Sequence, residues 1–203
     1  MTSGRSSSKP RLVIATLNRG KGRELLALLG DLPYEVTLLA DAPGATLPEE
    51  TGTTYRENAL IKARAAARAT GALSLGDDSG IEVDALGGAP GLHSARFGGP
   101  GLDDAGRYTL LLERLRGVPA VRRTARFRCV IALVEPGGPE RVVEGVVEGV
   151  VADAPRGTGG FGYDPVFFYP PLARTFGELP IDAKHRVDHR GTAARAARAL
   201  LVG

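Results

Sequence analysis

Acidic side chains gather in LGDDSGIEVDALGG, residues 75–88, where Asp77 and Asp78 stand side by side. If the preceding strand ends at this pair, the two carboxylates lie at the carboxyl edge of a sheet, where open α/β sheets bind ligands. Carboxylate oxygens bind hard cations such as Mg²⁺, which complete their octahedron with water and phosphate oxygens. Glu49 and Glu50, in a loop before the longest predicted helix, could complete a metal site. The alternative is a solvated turn, because Asp, Ser and Gly favour turns.

The segment TLNRGK, residues 16–21, is a candidate phosphate-binding loop. It follows an apolar run and opens a predicted helix, and the exposed amides of a helix N-terminus, with Lys21 added, suit a phosphate group. The segment is not a P-loop, because the Gly-x-x-x-x-Gly-Lys-Ser/Thr spacing is absent. The alternative is an ordinary strand-to-helix turn.

Two further segments suit the base of a nucleotide. GGFGYDP, residues 159–165, surrounds two aromatic rings with glycines, which let the backbone approach a ligand while a ring stacks on a base. Its alternative is a turn whose rings cover the edge of the core. KHRVDHRG, residues 184–191, gathers five basic side chains that could bind a phosphate or a base carbonyl, and it lacks a regular metal-ligand spacing. Its alternative is the solvated start of a basic helix.

The hydrophobic pattern predicts the elements that position these segments. Thr54 and Glu57 form a capping box at the start of the longest helix, and Gly71 is placed to end it. We expect strands at 11–16, 34–39, 72–78, 81–86, 124–134 and 141–151, and helices within 17–30, at 54–70, at 103–116 and at 191–201.

The segment 124–151 shows the clearest alternation and predicts a long antiparallel hairpin with one buried face. In its first strand Arg126 and Arg128 fall on one face, and the opposite face is apolar, formed by Ala125, Phe127, Cys129, Ile131 and Leu133. Helices combined with parallel-type and hairpin strands predict an α/β fold on a mixed sheet. We expect residues 10–203 to form a single domain and residues 1–9 to form a disordered tail.

Composition limits the possible partners and location. The formal net charge is +3, which does not demand a nucleic-acid partner, and only four of the 26 basic residues are lysines. Cys129 is the sole cysteine, which excludes an internal disulfide and favours a reducing compartment. The N-terminus lacks the apolar core of a signal peptide, and no apolar run approaches the length of a membrane span. We therefore expect a cytoplasmic protein with no membrane partner.

In their order along the chain, these motifs resemble the inosine triphosphate pyrophosphatase family. The resemblance rests on TLNRGK, EETG, ENALIKA, DDSGIEVDALGGAPGLHSARFGG, GGFGYDPVF and KHRVDHRG, and it extends from about residue 12 to residue 201. Members hydrolyse non-standard purine nucleoside triphosphates (dITP, ITP, XTP) to the monophosphate and pyrophosphate, which cleanses the nucleotide pool. The resemblance implies an elongated mixed β-sheet with flanking helices, two lobes around a nucleotide cleft, and a homodimer.

The resemblance also implies a role for individual residues. Asp78 would bind Mg²⁺ and accept a proton, and Glu49 would be the second metal ligand, chosen over Glu50 from its spacing to Gly52. Substrate binding would fall to Thr16, Leu17, Asn18, Arg19, Gly20, Lys21, Ser79, Phe161, Gly162, Tyr163, Asp164, Lys184, His189 and Arg190.

The implied reaction is attack of water on the α-phosphorus, assisted by Mg²⁺, with Asp78 taking the proton. Asp77 is then either a second ligand for metal or water, or a carboxylate turned away to cap local amides. Donors such as His189, Arg190 or a backbone amide would face the 6-oxo group of the base, and adenine would leave such a donor unpaired.

Four positions depart from the family pattern. Leu17 stands where Gly or Ser is common, Gly177 replaces a usual Ala, His185 replaces a usual Asn, and Asp188 replaces a usual Ser. The last two lie in the predicted base-binding motif and bear on base preference more than on the reaction.

Two other functions remain as alternatives at this point. One is a magnesium phosphohydrolase that releases orthophosphate. The other is a nucleotide- or RNA-binding module without turnover, for which Arg126, Arg128, Arg195 and Arg198 would supply a basic face.

Overall fold

The computed structural model describes residues 9–203, so the predicted tail, apart from Lys9, lies outside the described residues. Its single sheet has seven strands: β1 (Arg11–Ala15), β2 (Glu35–Leu38), β3 (Leu73–Val83), β4 (Thr124–Val134), β5 (Glu140–Val151), β6 (Phe167–Tyr169) and β7 (Arg174–Thr175). Their order is β2-β1-β3-β4-β5-β6-β7. Strand β1 runs parallel to both neighbours, and every later pair is antiparallel. The predicted mixed sheet is confirmed.

The core consists of four hydrophobic clusters, and helices cover both faces of the sheet. The helices are α1 (Arg19–Leu29), α2 (Tyr55–Thr70), α3 (Asp104–Arg114), α4 (Ile181–Val187) and α5 (His189–Val202). Helices α1 and α5 pack with β1 and β3 in one hydrophobic cluster. A second cluster joins α3 to the far end of the β4–β5 hairpin and to β6. Among residues 9–203, no helix combines the length and apolar character needed to cross a membrane.

Local sequence signals set the ends of helix α2. Thr54 accepts the Glu57 amide through its hydroxyl, and the Glu57 side chain accepts the Thr54 amide in return. Gly71 ends the helix with a φ of 62°, in the left-handed region. The predicted capping box and stop are therefore confirmed.

The two strands predicted at 72–78 and 81–86 are one continuous strand, so the predicted strand end at Asp77 and Asp78 is wrong. Strand β3 runs through both aspartates because β4 pairs with it from Ser74 to Val83. Gly80 continues the strand where a neighbouring segment packs closely, since a Cβ there would collide with the carbonyl oxygen of Gly91. The aspartates still lie just beyond the carboxyl end of a strand, but that strand is the parallel neighbour β1, which stops opposite Gly76.

The carboxyl-terminal basic segment also differs from its prediction. It spans two helices, α4 and α5, where one helix was expected from residue 191. Asp188 separates them as the N-cap of α5 and accepts the Gly191 amide at 2.6 Å. Asp serves this position as well as the Ser usual in the resembled family, because both side chains are good N-caps. This departure is therefore structurally conservative.

The β4–β5 hairpin forms as predicted, but its first strand is buried on one face only up to Cys129. From Val130 to Val134 every residue of β4 is buried. Helix α2 covers the second face there, packing Ala59, Ala63 and Ala67 against Val130, Ala132 and Val134. Strand alternation did not predict this contact, because the apolar face of α2 consists of alanines and does not stand out in the sequence.

Candidate active site

Asp77 and Asp78 point to opposite faces of the sheet, because successive side chains alternate along strand β3. Asp78 faces helix α2, and Asp77 faces helices α1 and α5. Both side chains are buried. The two adjacent acids therefore have different partners and take different parts in the site.

Asp78 keeps one carboxylate oxygen without a partner. Its Oδ1 accepts the Ser79 amide at 3.1 Å and lies 3.6 Å from Lys62 Nζ. Its Oδ2 is buried and has no hydrogen-bond donor among residues 9–203. Burial raises the pKa of Asp78, although Lys62 and Lys21 oppose the shift. A carboxylate of this kind suits a proton acceptor, and its free oxygen suits a cation.

Glu50, rather than Glu49, lies beside this carboxylate. Lys62 Nζ donates to Glu50 Oε1 at 2.5 Å, so Lys62 bridges Glu50 and Asp78. Burial alone would raise the pKa of Glu50, but Lys62 lowers it below the ordinary value. Glu49 is exposed and has no ion pair or side-chain hydrogen bond within the described part of the chain. No ion pair or hydrogen bond joins Glu49 to the site among residues 9–203, and its role as a metal ligand remains a prediction.

Asp77 is surrounded by donors from other elements. Lys21 Nζ lies 2.8 Å from its Oδ1, Arg190 Nε lies 3.6 Å from its Oδ2, and the Cys129 thiol donates to Oδ2 at 3.1 Å. Burial alone would raise the pKa of Asp77, but Lys21, Arg190 and Lys62 together hold it far below its ordinary value. Asp77 therefore holds side-chain cations, where the sequence suggested either a metal ligand or a cap for local amides.

The predicted phosphate loop is the N-terminus of helix α1. Asn18 caps it, accepting the Lys21 amide at 3.0 Å, and Thr16 accepts the Asn18 amide at 3.1 Å. Thr16 is buried, whereas Leu17 is 48% exposed and Arg19 is exposed. None of the three lines the cavity described below. The free amides of the first turn and the Lys21 ammonium provide positive charge at this point.

The basic segment forms a buried charge network, so its interpretation as a solvated helix start is wrong. Lys184 Nζ donates to Glu24 Oε1 and Asp164 Oδ2, both at 2.6 Å. Arg190 donates to Glu24 Oε2 at 2.6 Å and to Ser79 Oγ at 2.8 Å. Burial would lower the pKa of Lys184, but Asp164, Glu24 and Asp188 raise it above its ordinary value. Both cations therefore stay charged although they are only 1–2% exposed.

His189 contributes a neutral ring to the same end of the cleft. It stacks on Phe127, with ring centroids 4.6 Å apart and planes 9° from parallel. Burial, followed by Arg190 and Lys184, lowers the pKa of His189 well below its ordinary value. Its Nδ1 is buried and has no partner among residues 9–203. A neutral imidazole offers one donor and one acceptor.

The glycine-rich loop carries an aromatic face over these cations. The Phe161 ring centroid lies 5.4 Å from Lys184 Nζ and 5.5 Å from the Arg190 guanidinium carbon. Asp164 accepts the Phe161 amide at 2.9 Å, and the Tyr163 hydroxyl donates to the Ser94 carbonyl at 2.8 Å. Tyr163 and Asp164 are buried, so they fix the loop while Phe161 offers its ring.

One cavity joins the N-terminus of α1, the glycine-rich loop and the basic segment. It is lined by side chains from most of the predicted motifs, among them Asn18, Lys21, Ser79, Phe161, Lys184 and Arg190. A cavity lined by a cationic helix N-terminus and by a ring over buried donors has the chemistry of a nucleotide site.

Two residues that complete the site were missed from the sequence. Glu24 looks like a surface acid of helix α1, and Lys62 looks like a surface lysine of α2, yet both are buried. The signal was composition: three of the four lysines, namely Lys21, Lys62 and Lys184, lie at this site.

A second group of possible metal ligands, two acids and a histidine, fits a metal ion poorly. Glu24, His185 and Asp188 place one ligand atom each within 4.8 Å of one another. However, Lys184 and Arg190 already hold the two oxygens of Glu24, each at 2.6 Å. Two buried cations beside Glu24 would repel a divalent ion. Asp78 with its free oxygen is the better candidate.

Comparison with known proteins gives a consistent result across sequence and structure. The model of the Ham1 family matches residues 12–200. A dITP/XTP pyrophosphatase of Desulforamulus reducens is 50% identical over 191 residues, covering 94% of this chain and 95% of that protein. A dITP/XTP pyrophosphatase of Geobacter sulfurreducens is 51% identical over 183 residues, covering 90% and 92%. The structure of a HAM1 protein from Coxiella burnetii matches with a TM-score of 0.85 at 41% identity, covering 95% and 98%.

The different surroundings of the two aspartates predict opposite effects on stability. With metal chelated at pH 8, Asp77→Asn should lower the free energy of unfolding by about 3 kcal/mol or more, because it leaves Lys21 and Arg190 buried without their anion. Asp78→Asn should leave it unchanged or raise it, because ionised Asp78 is disfavoured in the folded state. Urea unfolding of both variants measures the difference.

The pH dependence provides a check on the same prediction. The pKa of Asp77 is lowered in the folded state, so its contribution is complete above the unfolded pKa and disappears as pH falls toward the folded one. The deficit of Asp77→Asn should therefore shrink in acid. Equal losses for the two variants at pH 8 would contradict the assignment.

Proposed function

The chain belongs to the Ham1 family, and on that basis we propose that it hydrolyses non-standard purine nucleoside triphosphates (dITP, ITP, XTP) to the monophosphate and pyrophosphate. The observation that carries the proposal is one cavity whose lining includes both Lys21 and Phe161. This arrangement fits a molecule with anionic phosphates at one end and a flat base at the other. The relatives named above as dITP/XTP pyrophosphatases support the choice of substrate.

The acidic residues fit a magnesium ion. Asp78 Oδ2 is a buried carboxylate oxygen with no donor in the described residues, which a cation would satisfy. Glu50 is already neutralised by Lys62 at 2.5 Å, whereas the carboxylate of Glu49 is free of such a partner among residues 9–203. We therefore keep Asp78 and Glu49 as the proposed ligands. When bound, Mg²⁺ would supply charge neutralisation between these acids and the phosphates.

The protein's own side chains perform the chemistry at the phosphate end. Lys21 neutralises developing charge on the phosphate oxygens, and Asp77 holds its ammonium in place from 2.8 Å. Asp78 accepts the proton of the attacking water, and the raised pKa of Asp78 makes it a stronger base. Lys62, 3.6 Å from Asp78, orients that carboxylate from the α2 side.

The other end of the cavity recognises the base. Phe161 provides a stacking surface, and the donors of Lys184, His189 and Arg190 suit a 6-oxo acceptor. An adenine base would place an amino donor against these donors and leave them unpaired. A site built on hydrogen bonds rejects such a mismatch by a factor of about 10⁴.

Charge pairing weighs against the RNA-binding alternative. Arg126 pairs with Asp84 and Glu148, and Arg128 pairs with Glu82 and Glu144. Arg198 pairs with Asp31. These arginines therefore do not form an open basic face. We propose a homodimer, as the family resemblance implies, and a cytoplasmic location, as the sole cysteine favours.

The proposed reaction predicts a specific product and a specific sensitivity. With Mg²⁺ present, dITP and XTP should yield pyrophosphate, with little turnover of dATP. Asp78→Asn should reduce kcat by about 10²–10⁴, because it removes the proton acceptor. Glu113→Gln, an exposed acid on α3, is the matched control. Resolving pyrophosphate from orthophosphate measures both, and orthophosphate as the first product would instead favour the phosphate-releasing alternative.

The two neighbouring glutamates provide a test of the metal ligands. Glu49→Gln should raise the Mg²⁺ concentration needed for half-maximal activity by about tenfold or more, because a ligand is lost. Glu50→Gln should change that concentration less, because Glu50 serves Lys62. A magnesium titration of both variants decides the point. The reverse ranking would assign the ligand to Glu50.

A further inference from the structure

Helix α3 forms a wall of the cavity at the base end. Asp104 Oδ2 accepts the Gly162 amide at 2.7 Å, which ties the first turn of α3 to the glycine-rich loop. Arg107 follows one turn later on the same helical face, and both residues line the cavity together with Phe161. The family resemblance gave no role to either residue of α3.

The Arg107 guanidinium is only partly satisfied by the protein. Its Nη1 donates to the Leu102 carbonyl. Its Nε is buried and has no acceptor among residues 9–203, and no acceptor or ion pair is found there for Nη2. Guanidinium groups carry donors and no acceptor. Nη2 is therefore the donor that this wall of the cavity can offer to an acceptor.

The substituent at C2 distinguishes the oxidised and deaminated purines from guanine. Xanthine carries a carbonyl at C2, hypoxanthine carries hydrogen, and guanine carries an amino group, which is a donor. All three have the same 6-oxo group, so Lys184, His189 and Arg190 cannot separate them. Asp104, the acidic group on the α3 wall, is engaged by the Gly162 amide.

Resting on the function proposed above, we propose that Arg107 is a specificity-determining residue that donates to the substituent at purine C2. It binds the 2-oxo group of xanthine, tolerates the hydrogen of hypoxanthine, and disfavours the 2-amino group of guanine, which would place donor against donor. This assigns discrimination against guanine nucleotides to the α3 wall of the cavity.

Replacing the donor by an acceptor gives the sharpest test. In Arg107→Gln the side-chain carbonyl can accept from the guanine amino group. The ratio of kcat/KM for GTP over ITP should rise about tenfold, and the ratio for XTP over ITP should fall about tenfold, the value of one hydrogen bond. Arg107→Ala should lower the XTP ratio similarly and raise the GTP ratio less. Arg114→Gln, exposed in the last turn of α3, should leave both ratios unchanged.

The readout separates recognition from mere support of the loop. Arg107 also holds Leu102, so a structural role would lower kcat/KM for ITP, XTP and GTP by one common factor. A common fall, unchanged ratios in Arg107→Gln, or a wild-type preference for GTP over XTP would overturn the proposal.

Product binding keeps this test independent of the proposed reaction. Calorimetric titration with IMP, XMP and GMP needs no turnover, and the same shift of ratios is expected between wild type and Arg107→Gln. If the wild type hydrolyses no triphosphate, the proposed function fails while these ratios still decide the role of Arg107. If it hydrolyses ITP and the ratios do not move, only the role of Arg107 fails.

Discussion

The burial of a nearly balanced charge network is the constraint on which the rest of the site depends. Asp77 holds Lys21 and Arg190, and Glu24 holds Arg190 and Lys184. Each charge would be costly alone in the interior, so each must be paired. These pairs connect helix α1, strand β3 and helices α4 and α5. The network therefore fixes the position of Lys21, which we assign to the phosphates, relative to Lys184 and Arg190, which we assign to the base.

This network also explains why the two adjacent aspartates do different work. Strand alternation sends Asp77 into the network and Asp78 toward α2, where one carboxylate oxygen stays free. The charge on Asp77 is used in holding Lys21 and Arg190, and one oxygen of Asp78 remains free for the role that we propose for it. A solvated turn at this point, the alternative considered from the sequence, could not separate the two carboxylates so completely.

Signals that act over a few residues were predictable from the sequence, and contacts between distant segments were not. The capping box at Thr54 and the stop at Gly71 depend on neighbours in the chain and are confirmed. The continuity of β3 depends on β4, about 50 residues away, and Glu24 meets Lys184 across 160 residues. The family resemblance predicted most of the residues that line the cavity. It did not predict Glu24 or Lys62, which support the site through buried ion pairs.

We propose that the site holds a whole triphosphate and directs water, with Asp78 as base, to the α-phosphorus. A single turnover of dITP with Mg²⁺ in ¹⁸O-labelled water tests it most directly, because the label marks the phosphorus that was attacked. Attack on the α-phosphorus should place ¹⁸O in dIMP and none in pyrophosphate. Label in pyrophosphate or in orthophosphate would place the attack on another phosphorus and contradict the claim.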